Sequence, residues 1–213
     1  MEQNNRHKQF QNVDYGLEPN IKNSPGGLRD IHTVMWIALK RHKTVSKKEL
    51  IKLGVLTKTE SRLLAAAEKF LRHTRFGLHL ISKNKEDRLR FMYQRELSAK
   101  LGYRESAGSP DVERFMQKYY RHVLAIQEIN TIVIQSFREN LFKVAEPQTK
   151  INPRFNLVGN YLEVAKESVF KETPSALIEI FVIMAKRRDI VGVNSSTIRL
   201  TVSYTHLTLP TKA

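Results

Sequence analysis

From Val112 to Leu141, apolar residues recur at helical spacing for about thirty positions, through Phe115, Met116, Tyr119, Val123, Ile126, Ile129, Val133 and Phe137. Neither Gly nor Pro interrupts them. A helix of that length with one apolar stripe must bury the stripe against other elements, so it predicts a spine with shorter amphipathic helices packed around it. Ser109 is placed to cap it and Pro110 to occupy its first position.

The rest of the chain reads as companions to that spine. Leu28, Ile31, Val34, Met35, Ala38 and Leu39 form one helical face after the breakers Gly16, Pro19 and Pro25, which mark residues 1–25 as irregular. Ser46 with Glu49, and Thr57 with Glu60, are two successive capping boxes. The second opens a long helix striped by Leu63, Leu64, Ala67, Phe70, Leu71, Thr74, Leu78 and Ile81. Leu89, Met92, Tyr93, Leu97 and Leu101 continue the pattern up to Gly102. The segment EPQTKINPRF, 146–155, reads as a linker or a short extended crossing, and Leu157, Val158, Tyr161, Leu162, Val164 and Phe170 alternate irregularly after it. Thr173 and Pro174 start a helix through Leu177, Ile180, Phe181 and Met184, and Ser195 to Thr197 cap another beginning at Ile198. The expected fold is therefore all-α: an irregular N-terminal segment followed by an antiparallel helical bundle, truncated at its C-terminal end. The expected divisions are 1–25, 26–143 (the bundle), 144–201 and 202–213. The last stretch, VSYTHLTLPTKA, carries one charge and no helical stripe. Its first ten residues resemble the in-frame translation of a transposase adapter, so it is expected to be a non-native tail; a natural polar tail or edge strand is the alternative.

Bulk properties narrow the function. A hydrophobic share of 41% with 27% charged residues describes a chain that buries a core. No apolar run approaches the roughly 20 residues that span a bilayer, and the polar N-terminus is no secretory signal, so a cytoplasmic protein is expected. The absence of cysteine removes disulfides, thiolate metal sites and Cys nucleophiles. The net charge of +15 admits an acidic or nucleic-acid partner. The cations are dispersed, however, and KRHK at 40–43 and KRR at 186–188 fall where a last helical turn favours them. Solvated faces explain the charge better than a polyanion site, and neither membrane nor nucleic acid is an expected partner.

Self-sufficient catalytic constellations are missing. Asp111 and Glu113 follow Gly108-Ser109 too closely to stand as metal-holding carboxylates behind a phosphate loop, and they read as first-turn helix acids. None of His7, His32, His42, His73, His79, His122 and His206 is followed by Asp, and there is no Walker A, GxGxxG, GxSxG or HExxH pattern. No catalytic residue and no metal ligand set is assigned. What remains is LEPNIKNSPGGLRDIH, Leu17 to His32. Gly26 and Gly27 at a helix start leave backbone N–H groups open to an anion, Arg29 adds a forked cation, and Asp30 offers a metal ligand or an orienting group. A tight loop with a surface Arg–Asp pair accounts for the same residues.

That turn, with GVLTKTESRLLAAAEKFLRHTRFGLHL, EDRLRFMYQRELSAKLGY and VERFMQKYYRHV in order behind it, resembles the bacterial bifunctional PII uridylyltransferase/uridylyl-removing enzymes, the GlnD family. The resemblance spans about residues 15–143, and more loosely 150–200 through PRF and STIRL. It implies that 1–25 is the tail of a nucleotidyltransferase region and 26–143 the helical domain behind it. The enzyme would transfer UMP from UTP to the PII signalling protein and remove it by hydrolysis, with Mg2+, under glutamine control. The Gly-Ser and Asp-x-Asp core, the His-Asp hydrolase and the glutamine-sensing regions are not in this sequence, so the piece is expected to support a nucleotide site rather than to act alone. Carried over, Gly26, Gly27, Arg29 and Asp30 would lie beside the nucleotide. The glutamine-synthetase adenylyltransferases carry a similar GGLRD block and are one rival; a non-enzymatic basic helical binding or scaffold domain is another.

Overall fold

A computed structural model describes residues 2–11, 17–104, 110–141 and 148–208. The chain divides into two compact units, Met1–Thr131 and Ile132–Ala213. The first unit contains α1 (Glu2–Gln11), α2 (Leu28–His42), α3 (Lys47–Lys52), α4 (Lys58–Ser82), α5 (Phe91–Lys100) and the first two-thirds of α6 (Asp111–Leu141).

The helix α4 is central to the first unit, packing on α2, α3 and α5. Leu64, Ala67, Leu71, Thr74 and Leu78 of the predicted stripe are buried, joined by Ser61; Phe70 and Ile81 are partly buried, and Leu63 is exposed. Leu28, Ile31, Val34 and Ala38 answer them from α2. From α6, Phe115 meets Phe70 of α4 with ring centroids 6.1 Å apart, and Tyr119, Val123, Ile126 and Ile129 are buried below it.

The Thr57–Glu60 capping box forms as predicted, with Glu60 N–H donating to the Thr57 hydroxyl at 3.1 Å and Thr57 N–H to the Glu60 carboxylate at 2.7 Å. The Ser46–Glu49 box does not: Glu49 instead accepts from the Thr44 hydroxyl, and Ser46 makes no side-chain cap bond. Asp111 and Glu113 stand in the first turn of α6, whose first residue is Asp111 rather than Pro110; the proposed cap Ser109 lies outside the described residues.

The second unit overturns the all-α expectation. It holds a four-stranded mixed sheet, β1 (Gln148–Lys150), β2 (Phe155–Val158), β3 (Tyr161–Val164) and β4 (Gly192–Val193), in that order. The β1–β2 and β2–β3 pairs are antiparallel, and β3–β4 is parallel. Gly159, at φ 56, is the first residue of the two-residue β2–β3 turn, where a positive φ suits the strand twist. Phe155, Leu157 and Leu162 face inward and pack with Val169 and Phe170 of α7 (Val169–Glu172), Ala176, Ile180 and Ile183 of α8 (Ala176–Lys186), and Ile190. The apolar outer-face residues Val158 and Tyr161 blur the period-2 signal, and strands of four residues or fewer give it little length to declare itself.

Two further corrections follow. The N-terminal segment is not wholly irregular, because α1 is a ten-residue helix. The last helix, α9 (Ser195–Thr208), starts three residues before Ile198 and runs past Thr201 into VSYTHLT. Leu200 and Tyr204, one turn apart, pack partly against the second core, and the hydroxyls of Thr201 and Thr205 return to carbonyls three residues back.

Phe155 is fully buried at the centre of the sheet. Phe155→Ala is expected to cost the second unit about 3–5 kcal/mol, read as a lowered denaturant midpoint; a change within error would show that the sheet does not organise that core.

Candidate functional site

The turn from Leu17 to Arg29 is built by local polar chemistry. The Asn20 side-chain oxygen accepts from the N–H groups of Lys22 (3.1 Å) and Asn23 (2.8 Å), and Asn20 N–H donates to the Ser24 hydroxyl at 2.9 Å. The folded-back chain then meets the start of α2. Gly27 N–H donates to Ser24 O, Leu28 N–H to Ile21 O, Arg29 N–H to Lys22 O and Asp30 N–H to Gly27 O, all within 2.8–3.1 Å. Gly26 N–H donates to the Asp30 carboxylate at 2.7 Å. The N–H groups that the sequence leaves open to an anion are therefore engaged by the protein itself. Gly26 is required for close approach as well: at φ +75, a Cβ there would lie 2.3 Å from the Val123 carbonyl oxygen.

Asp30 is the hub of this arrangement and is wholly buried. Besides Gly26 N–H, its carboxylate accepts from Arg6 Nη2 at 2.7 Å and Gln3 Nε2 at 3.1 Å, and His7 Nε2 lies 3.0 Å away. Asn130 of α6 donates to the Asp30 carbonyl at 2.8 Å and accepts from Gln3 at 2.6 Å. Arg6 also donates to Asn23 O at 2.8 Å. One residue thus joins α1, the turn and α2 through its carboxylate and α6 through its carbonyl, and the charge-assisted bonds to the carboxylate are the strong ones.

A second clamp holds the outer side of the turn. Ile21 N–H donates to Asp87 O and Leu89 N–H to Pro19 O, both at 2.8 Å. Gln94 Nε2 bridges Leu17 O (2.7 Å) and Leu89 O (2.9 Å), and Phe91 N–H reaches the Glu18 carboxylate at 2.8 Å. The LEPNIK and EDRL blocks are thus two halves of one contact. Asp87 is fixed by Arg75 Nε at 2.6 Å and His79 Nε2 at 3.1 Å. Burial opposes its ionisation, but the bonds from Arg75 and His79 outweigh burial and hold the carboxyl below its ordinary range.

The structure brings Gly26, Gly27 and Asp30 together, and places Arg29 on the outer face of α2, half-buried and without a hydrogen-bond or ion-pair partner for its guanidinium among the described residues. Among the described residues there is no group of three or more His, Asp or Glu side chains placed to hold a metal ion. The Mg2+ implied by the resemblance does not fit Asp30, whose oxygens are already taken by Arg6, Gln3, His7 and Gly26. Sequence reasoning missed Gln3, Arg6 and His7. Their signal is helical spacing, i, i+3 and i+4, carried by polar rather than apolar residues.

Comparisons with known proteins identify the family of this chain. The family model GlnD PII-uridylyltransferase matches residues 1–134, and Uridylyltransferase GlnD third domain matches residues 155–209. The chain belongs to the GlnD PII-uridylyltransferase family. It is 45% identical over 208 residues to the bifunctional uridylyltransferase/uridylyl-removing enzyme of Stutzerimonas stutzeri, 43% to that of Pseudomonas aeruginosa and 45% to that of Azotobacter vinelandii. Each alignment covers 97% of this chain and 23% of the relative, so the chain spans about a quarter of the length of these proteins. No solved structure matches it.

Two measurements test the hub and the clamp. Asp30→Asn leaves Arg6 buried beside a neutral partner and is expected to cost about 3–5 kcal/mol in denaturant unfolding; a loss under about 1 kcal/mol would show that the hub does not hold the unit together. Asp87→Asn is expected to cost about 1–3 kcal/mol at neutral pH. Because the folded-state value is depressed, Asp87's contribution is present above the ordinary 3.8 and is lost as pH falls through the lower folded value. The gap between variant and parent should therefore close on the acid side, and a gap that persists there would contradict the ionised clamp.

Proposed function

We propose that this chain is the segment behind the transferase core of an enzyme that transfers UMP from UTP to the PII signalling protein and removes it again by hydrolysis. The family match, at about 45% identity across nearly the whole chain, carries this reading. UTP and PII are the partners, the enzyme works in the cytoplasm, and its Mg2+ is held by carboxylates outside these 213 residues. No helix among the described residues is long and apolar enough to cross a membrane.

Within that enzyme, the GGLRD turn supports the nucleotide site. Gly26 and Gly27 allow the tight crossing of turn and helix, Asp30 fixes it, and Arg29 offers the charge. The backbone beneath Arg29 is fixed by its bond to the Lys22 carbonyl, and a planar guanidinium fork loses less freedom per hydrogen bond to phosphate than an ammonium does.

In the full-length enzyme, Arg29→Ala is expected to lower uridylylation of PII about tenfold or more, followed as label transferred from UTP. Uridylyl removal should stay near the parent's rate. Equal loss of both activities with reduced helicity would make Arg29 a structural residue, and absence of transfer to PII by the unaltered enzyme would sink the functional reading itself.

A further inference from the structure

Beyond Arg29, the outer side of α2 carries groups that the proposed function does not use. Arg29, His32, Trp36 and Lys40 follow one another at steps of three, four and four residues, so they share one side of the helix. Lys22 is brought to the start of this row, because Arg29 N–H donates to its carbonyl at 3.0 Å. Trp36 is the only tryptophan of the chain and is 54% exposed, its ring tilted against His32 with centroids 5.9 Å apart. Neither Lys22 nor Arg29 has an ion-pair partner among the described residues.

The electrostatics agree with the geometry. Burial first, then the positive charge of Arg72, Arg29 and Lys22, holds His32 below its ordinary value, against the opposing pull of Glu68. That acid is itself engaged by Arg72 at 2.7 Å and Lys47 at 3.4 Å. The row is therefore cationic at its N-terminal end, with an uncharged imidazole in the middle at neutral pH and an open indole beyond.

We propose that this face binds a nucleotide, with its phosphates over Lys22 and Arg29 and its base stacked on Trp36. Arg and Lys supply the charge that phosphate needs, and an exposed aromatic ring supplies a platform for any base. Seven residues of helix separate Arg29 from Trp36, a rise of about 10 Å, comparable to the reach from phosphates to base in an extended nucleotide. His32, between them, is placed for a hydrogen bond to the sugar. The identity of the nucleotide as UTP rests on the uridylyl-transfer reading; the face itself does not.

Because Trp36 is the chain's sole tryptophan, its emission reports on this site alone. UTP titrated into the 213-residue chain without divalent metal should quench Trp36 saturably and shield it from acrylamide. The Lys22→Ala/Arg29→Ala double variant, with far-UV dichroism unchanged, should raise the midpoint about tenfold or more. Inorganic tripolyphosphate should compete without reproducing the shielding. A response to ATP but not UTP would keep the face and overturn the uridylyl reading. No saturable response to either nucleotide in the folded chain, or an unshifted midpoint in the double variant, would overturn the face.

Discussion

The first unit depends on one buried carboxylate. A charge removed from water is tolerated only where its lone pairs are satisfied, and Asp30 meets that condition by drawing donors from three places in the sequence: α1, the turn itself and, through its backbone carbonyl, α6. The demand runs in both directions. Arg6, also buried, has its guanidinium held by Asp30 and Asn23 and, at 3.4 Å, by Glu2, so loss of Asp30 takes from a buried cation its shortest bond. The hydrophobic stripes of α2, α4 and α6 supply most of the burial, but they would tolerate several helix offsets. The polar hub admits one.

Much of the first unit is legible in sequence because its physics is periodic. The stripes of α2, α4 and α6 and the Thr57–Glu60 box follow from spacing alone, and the structure reproduces them except at Leu39 and Leu63, which are exposed. The helix α1 escapes because its organising face is polar. The sheet escapes for a different reason. Its inward residues number only one or two per strand, β1 is entirely exposed, and what commits Phe155 and Leu162 to strands is the core formed with α7 and α8. Tertiary context decides such short segments, and local preference does not.

The site divides the same way. The GGLRD residues are visible as a cluster, and the turn-forming roles of Gly26 and Gly27 could be argued from residue type. What the sequence does not reveal is occupancy. Whether a helix-start N–H is open to a ligand depends on where distant groups lie, and here Ile21, Lys22 and Ser24 fold back onto three of them. The anion contact proposed for this turn therefore falls to side chains and not to its backbone. The pairing of the LEPNIK and EDRL blocks is equally invisible until the fold places them together.

The two sets of bonds that hold the turn also fix an order of events. Glu18 and Leu17 find their partners 73 and 77 residues downstream, and Asp30 finds Asn130 after 100. Closing loops of that length is entropically costly before packing rewards it, so such contacts form late in folding. On the ribosome, the turn is made before the partners that complete it. It waits for α4 and α5 to supply its outer clamp, and Asp30 lacks its α6 partner until Asn130 has emerged. During synthesis this most polar part of the core is the stretch with the longest unsatisfied interval, and hence the one most in need of protection from wrong partners.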